Sequence, residues 1–88
     1  NRPHVQRLPE PRMAQAQERR ASLEVEVTRL ERTLAGLTAD LETATAEQDP
    51  DRIAELGEAY ARAQGRLEDR TEAWLEALEV EEQLPAEP

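Results

Sequence analysis

The sequence predicts an all-α fold, a two-helix antiparallel coiled-coil hairpin, and three observations predict it. Apolar residues recur at steps of three and four on both sides of Pro50, the one proline between the two proline-bearing ends. A helix-start signal, Asp49-Pro50-Asp51, sits between those two stretches. The position numbers of facing apolar residues add to one constant about a mirror point between Gln48 and Asp49. Composition agrees with a narrow fold. Phe is absent, Trp74 and Tyr60 are the only aromatics, and the apolar content is mostly Leu and Ala. That suits a seam between helices rather than a two-sided core.

The first twelve residues contain Pro3, Pro9 and Pro11 and are expected to be an extended arm. A helical hairpin is expected over 13–84, with helix 1 at about 13–47, the turn at 47–50 and helix 2 at about 50–83, leaving 85–88 as a tail. In the first helix Leu23, Val27, Leu30, Leu34, Leu37, Leu41 and Ala44 form a strict heptad seam, which only Arg20 interrupts on its way back to Met13. In the second, Ile53, Leu56, Tyr60, Ala63 and Leu67 continue through Arg70 to Trp74 and Ala77. A competing set, Thr71, Leu75 and Leu78, leads us to expect the seam to drift near the end of helix 2. Gly57 and Gly65 weaken helix 2 by about 1 kcal/mol each relative to Ala.

The start of helix 2 follows from local chemistry. Asp49 can accept hydrogen bonds from the free N–H groups of the next turn. Pro50 falls where its missing N–H costs nothing, and Asp51 lies where the helix dipole favours an anion. The mirror rule then sets Leu41 opposite Leu56, Leu37 opposite Tyr60, Leu34 opposite Ala63, Leu30 opposite Leu67 and Leu23 opposite Trp74. Large residues meet small ones at several layers, as close packing requires. Arg20 opposite Ala77 and Arg70 opposite Val27 make polar layers whose guanidinium heads are expected to reach outward.

Several function classes find no support in these residues. There is no phosphate-binding glycine loop, no Cys, and a single histidine, His4, in the arm. No catalytic residue, metal site or cofactor is therefore assigned. No apolar run reaches the roughly 18 residues of a membrane span. The opening Asn1-Arg2-Pro3-His4 lacks a signal-peptide core, the lack of an initial Met is read as a fragment, and the absence of cysteine is compatible with the cytoplasm.

The charge is uneven. Residues 1–20 carry +3 and residues 21–88 carry −12, for a net −9, and every cation is an arginine. Arg2, Arg7, Arg12, Arg19 and Arg20 are the better nucleic-acid candidates, with Arg62, Arg66 and Arg70 as a second stripe that could track phosphates. Each group has a competing reading. Arg62 can pair with Glu58, and the basic first segment can neutralise Glu76, Glu79, Glu81 and Glu82 at the open end of the hairpin. Trp74 is read as a core anchor facing Leu23 rather than a platform for stacking a base.

The run "DPDRIAEL" (Asp49 to Leu56), then Leu67-Glu68 and the closing "WLEALE" (Trp74 to Glu79), resembles the C-terminal coiled-coil domain of ABC-F ATPases of the Uup-like branch. "LEVEVTRLERTLAGLTADLE" (Leu23 to Glu42) is similar to the first helix of those domains, so the resemblance covers roughly residues 21–79. It implies a soluble cytoplasmic accessory domain of a two-cassette ATPase, without catalysis or cofactor of its own and with no membrane contact. Its partners would be the cassettes of the same chain and either DNA or the ribosome. The upstream "HVQRLPEPRMAQAQERR" departs from the family's Lys-rich entry segment, so nucleic-acid binding is expected to be weak on its own. The other expectation is a structural coiled coil in which two hairpins form a four-helix bundle with no nucleic-acid role, with a monomer favoured over the dimer. A third, a tRNA-contacting arm like that of seryl-tRNA synthetase, calls for more basic residues along the helices than this chain has.

Overall fold

The structure, a computed structural model, describes residues 11–85. Helix α1 spans Pro11–Ala46 and helix α2 spans Pro50–Gln83, with no strand among the described residues. The two pack against each other along their length as an antiparallel hairpin, the predicted fold class. At 36 residues, α1 is about 54 Å long. Pro11 and Arg12, expected in the extended arm, instead form the first turn of α1. Proline is tolerated there because the first N–H groups of a helix have no partner within it.

The turn uses both helix ends. Asp49 is the N-cap of α2, in extended backbone, and its Oδ1 accepts from the Arg52 N–H at 3.1 Å. Pro50 follows in the first turn, and the Ile53 N–H donates to the Asp49 carbonyl at 2.9 Å. The end of α1 is closed by Gln48 at φ 55°, a left-handed conformation. This lets the Gln48 N–H reach the Thr45 carbonyl and the Asp49 N–H reach the Ala44 carbonyl, both at 3.1 Å. Those two bonds satisfy carbonyls that a helix end otherwise leaves open, and a glycine ordinarily occupies this position.

The seam follows the mirror rule. Leu23, Ala44, Leu56, Ala63 and Ala77 are buried, Leu23 to 1% exposure. Val27, Leu30, Leu34, Leu37, Leu41, Ile53, Tyr60, Leu67 and Trp74 are half-buried. Two helices enclose a seam on two sides only, so most of its residues keep one edge in water. A side chain covered like Leu23 contributes about 2 kcal/mol by burial.

The expected drift of the seam does not occur. Trp74, Ala77, Glu81 and Leu84 keep the three-and-four stepping, opposite Leu23, Arg20, Ala16 and Met13, and all are buried or half-buried. Of the competing set, Leu75 stays 52% exposed, while Thr71 and Leu78 are half-buried along the rim of the seam. The register established at the turn is carried to the open end, and a second apolar stripe on α2 cannot displace it without breaking every earlier layer. A Cβ added at Gly36, Gly57 or Gly65 would meet open space, so no close approach of the helices accounts for these glycines.

Candidate nucleic-acid interface

A two-helix seam has two flanks, and the arginines sort between them. Arg19 lines a 130 Å³ cavity with Ala73, Glu76 and Val80 of α2. Arg29 and Arg66 line a 210 Å³ cavity with Glu26 and Leu30 on the same flank. Arg12 lies seven residues before Arg19, Arg52 fourteen before Arg66, and Arg62 four before Arg66, so each falls on that flank by heptad spacing. Six of the nine arginines among the described residues thus share one edge, and all six are exposed. Glu26, Asp40, Glu47, Glu55, Asp69 and Glu76 interleave with them, which makes the edge a mixed one rather than a uniformly basic one.

The opposite flank contributes no arginine of its own. Its sequence positions carry Glu24, Glu31, Glu42, Glu68 and Glu82 among Ala, Thr, Gly and Gln, with Leu75 and Leu78 near the open end. A shallow cavity of 180 Å³ on it is lined by Glu24, Val27, Thr28 and Trp74.

The predicted site residues separate accordingly. Arg2 and Arg7 lie outside the described residues, as does His4. Arg12 and Arg19 are exposed on the arginine flank. Arg20 is not available as an open phosphate contact. Its Nε donates to Glu81 Oε2 across the hairpin and its Nη1 to Glu24 Oε2, each at 2.5 Å. Hydrogen bonds to Glu81 first and Glu24 second raise its pKa above the usual arginine value, with burial opposing them. Its head leans outward onto the carboxylates of Glu24 and Glu81, and the side chain keeps 30% exposure.

Arg62, Arg66 and Arg70 do not form a single open stripe. Arg62 and Arg66 are exposed, whereas Arg70 occupies the seam and is half-buried. Four-residue steps overshoot a full turn by about 40°, so a stripe that begins on the flank winds into the seam by its third member. The expected Glu58–Arg62 pair is not made. Arg20 is ion-paired with Glu24 and Glu81, and Arg52 makes an exposed contact with Glu55 at 3.6 Å. Of the expected charge matching at the open end, the structure shows a bond from Arg20 to Glu81, and Arg2 and Arg7 lie outside the described residues.

Arg29 was missed as a site residue by sequence reasoning. It is not part of a run or an i, i+4 pattern with other arginines, and only the antiparallel register brings it beside Arg66. Trp74 is a wall of the seam, half-buried, and its Nε1 is buried with no hydrogen-bond acceptor among the described residues. No group of three or more His, Cys, Asp or Glu among the described residues is arranged to hold a metal ion, and no helix is long and apolar enough to cross a membrane. Compared with family models, with curated proteins and with solved structures, the chain matches none.

Proposed function

We propose that this chain is a non-catalytic helical arm that assists engagement of nucleic acid, DNA or ribosomal RNA, as the cytoplasmic C-terminal accessory domain of an ABC-F-like ATPase. The observation that carries this reading is the sorting of six exposed arginines, Arg12, Arg19, Arg29, Arg52, Arg62 and Arg66, onto one flank. Guanidinium groups spaced along a long edge suit a phosphate backbone, which they contact without reading sequence. The interleaved acids and the net charge of −9 make such contacts weak in isolation, in keeping with a module that assists rather than binds alone. The features that carry the family resemblance have structural roles that fit it, Asp49 as the cap of the turn and Trp74 in the seam.

Titration of fluorescently labelled duplex DNA and of structured RNA, each at low and at high salt, tests the reading. Binding at low salt that weakens as salt rises is the expected result, because phosphate contacts release counterions. No binding at low salt, or an affinity indifferent to salt, contradicts it.

A second reading is favoured by Val25 and Val80, apolar side chains left about half exposed outside the seam. In it the chain is a structural module whose two copies pair into a four-helix bundle. Light scattering separates the two, since the monomer has a mass of 10.0 kDa and a pair about twice that.

A further inference from the structure

Near the open end, α2 carries two apolar stripes, and the hairpin uses one of them. Trp74 and Ala77 enter the seam. Thr71, Leu75 and Leu78, at steps of four and three, form the other, which shares Trp74 as its inner edge. Leu75 is 52% exposed although the same helix buries Ala77 to 5%. Around Leu75, besides Thr71 and Leu78 of the stripe itself, the neighbours at three, four and seven residues are acidic: Glu72, Glu79, Glu68 and Glu82. All four are exposed, and none is ion-paired with another described residue. On the facing α1 surface this flank carries Gln17, Ala21, Glu24 and Thr28, and the stripe borders a shallow trough that it meets at Trp74, where Glu24, Val27 and Thr28 form the other wall.

We infer that this trough is a docking surface for a third helix, a basic amphipathic helix from a protein partner. That helix would lay an apolar stripe on Leu75 and Leu78 and set Lys or Arg against the four glutamates. The apolar row supplies the burial, and the acidic rim selects the sign of the partner. A second copy of this chain is the wrong occupant. Symmetric pairing through the trough would bring two sets of Glu68 and Glu82 together, with Glu72 and Glu79 beside them; among the described residues this flank contributes no arginine, and Arg20, which leans toward it, is already held by Glu24 and Glu81. Nucleic acid is excluded from this flank by the same charge. The docking surface is thus opposite the arginine edge, and its existence does not depend on what that edge binds.

Trp74 is the only tryptophan and borders the trough, so its emission reports occupancy directly. The test is a fluorescence titration with two Trp-free helical peptides of about 18 residues, each with Leu at heptad spacing, one bearing Lys and the other Glu at the remaining positions. The Lys–Leu peptide should give a saturable blue shift and the Glu–Leu peptide none. Leu75→Ser, at an exposed position, should weaken the Lys–Leu peptide by about tenfold or more. Val25→Ser, an equally exposed site on the outer face of α1, should leave binding unchanged. Arg62→Gln with Arg66→Gln should also leave it unchanged, which keeps this inference separate from the nucleic-acid reading. Equal binding by Leu75→Ser, equal binding of both peptides, or no binding of either overturns the proposal. So does a dimer in sedimentation that Leu75→Ser converts to monomer, since a second copy would then be the occupant.

Discussion

Arg20 Nε donates to Glu81 Oε2 across the open end of the hairpin at 2.5 Å, and both residues occupy positions of a seam that is apolar elsewhere but for Arg70. The sequence pattern marks Arg20 as an interruption, yet it joins the two helices where their termini would otherwise fray. The Glu81 side chain is 17% exposed and that of Glu24, the second partner, 45%.

Glu81→Gln should therefore lower the melting temperature more than Glu24→Gln does: about 5 °C against about 1 °C or less, read by far-UV circular dichroism. The first change removes a bond between helices, the second a bond within one. The raised Arg20 pKa adds stability that is present below the ordinary arginine pKa and lost only above it. Arg20 should consequently introduce no pH dependence between pH 5 and 9, roughly the accessible range.

Leu23 is the most buried side chain, opposite Trp74. Leu23→Ala should cost about 3 kcal/mol, which in so thin a fold removes most of the cooperative melt. Leu75→Ser should leave the melt nearly unchanged, because that side chain lies outside the seam.

At the turn, Gln48 holds φ 55° without being glycine. Gln48→Gly should stabilise the hairpin by about 0.5–1 kcal/mol in urea melts, and Asp49→Ala should destabilise it by about 1 kcal/mol through loss of the cap to Arg52.

Gly57 and Gly65 face open space within α2. Gly57→Ala and Gly65→Ala should each stabilise the protein by up to about 1 kcal/mol, additively, since the two sites are eight residues apart with no shared contact.

On the arginine flank, Arg62→Gln with Arg66→Gln should reduce the slope of log affinity against log salt for labelled DNA by about two. Arg20→Gln should change it far less, because Arg20 is held by Glu81 and Glu24.

The hairpin, its turn and nearly all seam layers were legible in the sequence because each rests on strict spacing or on a cap with a local mechanism. The left-handed Gln48 was not, since glycine is the residue that signals such a position and none is there. The expected drift at Leu75 and Leu78 failed for a related reason. Two stripes on one helix can have the same spacing, and only the partner helix decides which faces inward. Site residues were harder still. Arg62 and Arg66 looked continuous with Arg70 until the seam took Arg70, and Arg29 had no signal before α1 was laid beside α2.

Both flanks exist only if the antiparallel register holds, and pairs of spin labels measure that directly. Glu31 and Gln64 are exposed and flank the seam opposite each other, and the chain has no native cysteine to interfere. Labels on Glu31→Cys and Gln64→Cys should lie within about 20 Å, as expected for packed helices with their linkers. A separation of about 50 Å, that of one continuous helix over the same 33 residues, would contradict the hairpin and with it the arginine edge and the docking trough.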